Sequence, residues 1–143
     1  MRVFANPGHD NDWIALKLVG TKTNRAAIGA RIKVTVENDG GEVRSIYRTV
    51  GSGGSFGASP LEQHIGLGHA AAIKRVEVFW PVSGTHQVFT GVAKNQFLEI
   101  KELSNDYARL DRKPVHFGAA APAVASGSLT GSADTTRANE TAQ

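Results

Sequence analysis

Apolar and polar residues alternate with a period of two in several short runs of this chain, and glycine, proline and asparagine punctuate them. Such a period belongs to strands that bury one face and wet the other. The run Trp13 to Val19 puts Ile14, Leu16 and Leu18 on the cleaner apolar face, with Trp13, Ala15, Lys17 and Val19 opposite. A second run, Ala30 to Val36, turns Ile32, Val34 and Val36 inward and Arg31, Lys33 and Thr35 outward. Asn38-Asp39-Gly40-Gly41 then predicts a tight hairpin, because Asn and Gly tolerate positive φ. The return strand spans Val43 to Val50, and its imperfect alternation predicts a bulge near Arg44-Ser45.

Gly51 to Ser59 reads as a long glycine-rich loop, and His64 to Gly68 as an edge strand or extended connector. Ile73 to Trp80 alternates clearly: Ile73, Arg75, Glu77 and Phe79 fall on one side, Lys74, Val76, Val78 and Trp80 on the other. Pro81-Val82-Ser83-Gly84 turns the chain, since proline cannot join a ladder. His86 to Phe89 and Phe97 to Lys101 are two more strands, joined through Gly91 to Gln96. Only Ala70 to Ile73 and Tyr107 to Arg112 have helical character, and neither is long enough to stand alone. The pattern predicts an all-β fold: a β-sandwich or partly open barrel of about seven to eight short, mostly antiparallel strands.

Composition narrows this further. At 143 residues the chain holds one domain. From Gly118 onward Ala, Ser, Thr, Gly and Pro dominate, with Leu129 the last large aliphatic residue, which predicts a disordered C-terminal tail. The expected organisation is a leader or remnant over 1–10, a β domain over 11–103, and an extension with the tail over 104–143. There is no cysteine, so disulfides and thiolate metal sites are excluded. No apolar run approaches the roughly 18 residues of a membrane helix, and Met1 to Gly8 lacks the apolar core of a signal peptide. The charge of +3 is mild and its signs are interspersed. Without basic–aromatic interleaving it predicts no nucleic-acid partner.

Candidate chemistry is sparse. Gly53-Gly54-Ser55-Phe56-Gly57 matches the G-x-S-x-G pattern of a hydrolase elbow, and Asp106 or Asp111 with His116 completes the order Ser, Asp, His. That elbow needs a strand feeding a helix, whereas Ala58-Ser59-Pro60 begins none, so a small serine hydrolase built on Ser55 is the alternative rather than the expectation. The same loop is a candidate anion cradle or binding rim through Ser55 and Phe56, but it lacks the Gly-Lys-Ser/Thr ending of a P-loop. His9, His64, His69, His86 and His116 show no helix-based ligand spacing. His64 is read as a hydrogen-bonded structural residue, and Asp10, Asn11 and Asp12 as turn and capping groups. No metal and no cofactor is expected. Trp13 and Trp80, each at a strand end, are core residues by default and sugar-stacking rings in the alternative. The polar loop Thr21, Lys22, Asn24 and Arg25, bracketed by Gly20 and Gly29, is the preferred contact surface. Asn24 can bond its own backbone there, and Arg25 can reach a neighbouring carboxylate.

Taken in series, Asn11-Asp12-Trp13-Ile14, the Gly20 to Ala30 block, His64-Ile65-Gly66-Leu67-Gly68, Val76-Glu77-Val78-Phe79-Trp80-Pro81 and Asn95-Gln96 resemble the ASPIC/UnbV domain, the C-terminal module of cartilage acidic protein-like proteins. The resemblance covers about Asn11 to Glu102. Where the family usually has Trp-Pro-Ser-Gly, this chain has Trp80-Pro81-Val82-Ser83-Gly84, one residue longer. The resemblance implies a module that follows FG-GAP/VCBS repeats folded as a β-propeller. It also implies a secreted or surface setting (extracellular or periplasmic) within a longer protein, a role in adhesion or recognition, and no catalytic residues. Val3-Phe4-Ala5-Asn6 then looks like the remnant of a preceding repeat. The implied partner is a propeller domain or surface protein, with a glycan as a further possibility.

Overall fold

The computed structural model describes residues 10–53 and 57–113. Eight strands follow one another: β1 (Asp12–Val19), β2 (Arg31–Asn38), β3 (Val43–Thr49), β4 (Gln63–Gly68), β5 (Ala70–Trp80), β6 (Thr85–Phe89), β7 (Gln96–Lys101) and β8 (Tyr107–Leu110). They form two four-stranded sheets, ordered β4-β1-β7-β8 and β3-β2-β5-β6, which do not close into a barrel. The all-β expectation holds. All pairings are antiparallel except β1 with β7, which run parallel.

The core lies between the sheets, and period-two alternation supplies it from both. Ile14, Leu16 and Leu18 of β1, with Leu98 and Ile100 of β7, are buried with Ile32, Val34 and Val36 of β2 and Val76, Val78 and Trp80 of β5. Each such aliphatic side chain withdraws enough apolar surface to favour folding by about 1.5–3 kcal/mol. Trp80 is fully buried, and its indole N–H donates to the Gln87 side-chain oxygen, so the largest core residue keeps its polar edge satisfied.

Four local expectations are corrected. The β2–β3 ladder runs from Arg31↔Thr49 to Glu37↔Val43 without a register shift, so there is no bulge at Arg44-Ser45. Ile46 packs on the core, while Val43 and Tyr47 point outward, 56% and 65% exposed, because a marginal strand has no burial constraint on that face. The register shifts lie instead between β2 and β5. There Thr35 faces Arg75 while Val36 faces Ile73, so the slip at Lys74 returns Ile73 to the core side with Val76. Ala70 to Ile73 is strand, not helix, and so is Tyr107 to Leu110, which carries the sheet past Leu103. Of the expected leader over 1–10, all but Asp10 lies outside the described residues, as does the tail from Gly118.

Candidate functional site

At the end of the sandwich where β1 and β7 finish, the chain between β1 and β2 is folded around a single carboxylate. Leu98 and Ile100 face the core, and Glu102 is the next residue of that register, 3% exposed. Its Oε2 accepts the backbone N–H groups of Thr21 at 2.6 Å, Lys22 at 2.7 Å and Thr23 at 2.8 Å. Its Oε1 accepts the hydroxyls of Thr23 at 2.7 Å and Ser83 at 2.5 Å. Burial pushes this carboxyl's pKa up, but the hydrogen bonds from Ser83, Thr23 and Thr21 outweigh it and bring it down to about 2. Three consecutive N–H groups aimed at one oxygen form an anion-binding concavity, and here the protein's own acid fills it.

Two further devices fix the loop. Asn24 brackets Ile28 from both sides: its side-chain oxygen takes the Ile28 N–H and its amide donates to the Ile28 carbonyl, each at 2.9 Å. The expected bond of Asn24 to its own backbone is replaced by this pair to Ile28, four residues on. Gly20 donates its N–H to the Arg25 carbonyl at 3.2 Å, and a Cβ on Gly20 would stand 2.1 Å from the Asn24 carbonyl oxygen, so the close approach demands glycine. A Cβ on Gly29 would stand 3.5 Å from the Pro81 ring, so this loop runs beside the β5–β6 turn. Ser83 ties the same turn to Glu102. Two loops thus share one anchor, while Thr21, Lys22, Arg25, Ile28, Pro81 and Val82 remain exposed on their outer side.

A second fixture holds the opposite end of β1. Trp13 donates its N–H to the Asn95 side chain at 3.0 Å and accepts the Asn95 N–H at 2.7 Å. The Asn95 amide in turn donates to Asp12 at 2.8 Å, and Lys94 reaches both Asp12 and the Ala70 carbonyl. The hydrogen bond from Lys94, with Asn95 adding to it against burial, holds the Asp12 carboxyl below the usual range. Asp12 opens β1 and holds the Lys94 and Asn95 side chains, in place of the capping role expected of the Asp10 to Asp12 stretch.

The remaining candidates disperse. Trp80 has no exposed surface, which leaves it no face for a ligand; it is core. Trp13 is half-buried on the outer face of β1, edge-on to Phe97 with ring centres 4.9 Å apart. His64 is exposed, hydrogen-bonded to Glu62 at 3.0 Å and 5.9 Å from the Phe97 ring. Arg25 forms no ion pair among the described residues, although its charge helps hold the Glu99 carboxyl low, after the larger effect of Lys17. Ser55, Phe56 and His116 lie outside the described residues, and so does any triad built on them. Among the described residues no group of three or more acidic or histidine side chains is arranged to hold a metal, and no helix is long and apolar enough to cross a membrane.

Glu102, Ser83 and Gln87 were not singled out by the sequence reading. A signal for Glu102 exists, however: an acid at the core-facing position after Leu98 and Ile100 must find donors, and Thr21-Lys22-Thr23 supplies them.

Among the described residues of this open two-sheet sandwich, Asn24, Asn95 and Glu102 pin loops. The family model described as ASPIC and UnbV matches residues 20–106, more than half of the chain, and the chain belongs to that family. Such domains are associated with FG-GAP repeat proteins. The match opens at Gly20 and closes before β8, so it takes in the loop, the turn and Glu102 that anchors both. No curated protein and no solved structure matches the chain.

Proposed function

We propose that this chain is a non-catalytic recognition module. In this reading it docks on a partner protein through the sandwich end built by the Gly20 to Gly29 loop and the Pro81 to Gly84 turn. The observation that carries the reading is the Glu102 anchor. A buried, five-fold hydrogen-bonded carboxylate holds two surface loops in one shape before any partner arrives, and preorganisation of that kind lowers the entropic cost of association. The exposed side chains suit a protein surface: Ile28 and Val82, 42% and 67% exposed, supply apolar contact, and Lys22 and Arg25 supply charge beside them. The burial of Trp80 favours a protein over a glycan. Membership of the family supports an FG-GAP repeat β-propeller as the partner. It also supports an extracellular or periplasmic setting within a longer protein, with adhesion or recognition as the role.

Titration calorimetry of the full chain against a purified FG-GAP repeat domain from the same genome tests this. The expected result is saturable binding that Lys22→Glu and Val82→Asp each weaken at least about tenfold. Equal affinity for both variants and the parent would refute the assigned surface, and absence of binding to any such domain would refute the partner.

A further inference from the structure

The outer face of the β3-β2-β5-β6 sheet carries a pattern the core does not require. Across the strands one row reads Tyr47, Lys33, Glu77, Val88, and the next reads Thr49, Arg31, Phe79, His86. A third begins Ser45, Thr35, Arg75, and there the register slip leaves Lys74 as the extra residue of β5. Strict alternation would send one of Lys74 and Arg75 inward; at the slip both reach solvent, with side chains 51% and 49% exposed. The two central strands thus present four cations, Arg31, Lys33, Lys74 and Arg75, against two carboxylates, Glu37 and Glu77. Neither β3 nor β6 carries an acid.

The carboxylates hold some of these cations without cancelling them. Glu77 stands 3.1 Å from the Lys33 ammonium and 3.4 Å from Arg75, and Glu37 holds Lys74. Arg31 forms no ion pair among the described residues, and its guanidinium lies 5.8 Å from the centre of the Phe79 ring. Apolar side chains flank this basic centre on both margins: Val43 and Tyr47 on β3 and Val88 on β6, each at least half exposed. They are three of the seven large apolar side chains exposed among the described residues, so the face is apolar as well as basic. With strands about 4.8 Å apart it is about 14 Å across.

We propose that this face is a second contact surface, beyond the loop end, and receives an acidic surface of a partner protein. The partner's carboxylates meet Arg31, Lys33, Lys74 and Arg75, and its apolar side chains cover Tyr47 and Val88. Charge complementarity sets the sign: a surplus of two positive charges on the central strands repels a basic partner and steers an acidic one. The flanking apolar side chains set the class. A polysaccharide or a nucleic acid supplies negative charge but no apolar side chains to cover Val43 and Val88. Base stacking also needs successive open rings, whereas Phe79 is half-buried beside Arg31. Tyr and Arg are the residue types enriched where proteins meet. Glu77 and Glu37 keep Lys33, Arg75 and Lys74 in place on the sheet before contact, which lowers the cost of ordering them.

Fluorescence anisotropy with the full chain and a dye-labelled, acetylated peptide of repeated Glu-Leu-Glu-Glu tests this. Saturable binding is expected in about 50 mM salt, weakening at least about fivefold in about 300 mM. Arg31→Gln with Lys74→Gln removes the charge surplus from two exposed positions and should weaken binding at least about tenfold. Tyr47→Ser should weaken it about threefold while the melting temperature stays unchanged, a result that a purely ionic attraction would not give. Lys22→Glu, at the loop end, should change it less than about twofold, which keeps failure of this surface distinct from failure of the loop surface. Three results would overturn the proposal: no saturation at about 1 mM peptide, equal affinity of the Arg31→Gln, Lys74→Gln variant and the parent, or a heparin fragment that binds more tightly than the peptide and ignores Tyr47→Ser.

Discussion

Replacing Glu102 by glutamine removes a charge while keeping shape, and its effect can be worked from the geometry. The amide oxygen can still take the three N–H groups of Thr21, Lys22 and Thr23, and the hydroxyls of Thr23 and Ser83 can rotate to accept from the new NH2. What is lost is the charge assistance that draws the carboxyl from 4.5 to about 2. Fully expressed, that drop corresponds to about 3 kcal/mol; the exposed loop admits screening, so the expected loss is roughly 2 kcal/mol. For a domain of this size it lowers the melting temperature by about 8–16 °C. The pH dependence gives an independent check. The folded-state value lies below the unfolded one, so the contribution is complete above pH 4.5 and disappears as pH falls toward 2. Urea unfolding of the parent and of Glu102→Gln across pH 2–7 should therefore show two curves about 2 kcal/mol apart at pH 7 that converge in acid. Curves that coincide at neutral pH, or stay parallel down to pH 2, refute the anchor.

Other outcomes follow from the same contacts. Gly20→Ala drives a Cβ into the carbonyls of Asn24 and Thr23 and should cost about 3 kcal/mol or more in denaturant unfolding, with loss of the loop's amide-exchange protection. Asn95→Ala removes the bonds to Trp13 and Asp12 and, with them, a residue suited to φ +57°; a loss of about 2 kcal/mol with a shift in Trp13 fluorescence is expected. Gln87→Leu strands the Trp80 indole N–H in the core and should cost about 2 kcal/mol by thermal melting, whereas Tyr47→Ser, on the exposed face of β3, should change stability by less than about 0.5 kcal/mol.

The central strands were legible in the sequence because burial on one face forces alternation: the expected inward residues of β1 and β2 are all buried, although Ala15 and Thr35, expected outward, are buried too. Legibility failed where that constraint lapses. In β3, Arg44 takes an inward position and reaches across to Leu67, so polarity there reports a cross-edge hydrogen bond rather than exposure. At Lys74 one extra residue reverses the pattern, and a count of two cannot see it. β8 is too short to carry a period. In the loop, Asn24 was readable because its bonds are local, but Glu102 stands 79 to 81 residues from its three backbone donors and 19 from Ser83. Only its place in the β7 register marks it.

The parallel pairing of β1 with β7 has a consequence for biosynthesis. β1 occupies an interior lane of its sheet, and one of its two flanking lanes is filled only after residues 96–101 have been made. A nascent chain leaving the ribosome therefore holds an apolar first segment exposed on one side until nearly all of the described fold has emerged. Contacts this distant in sequence slow the search for the native state. Premature termination before Gln96 leaves β1 bare on that side, a product for chaperones and proteases rather than a smaller working module.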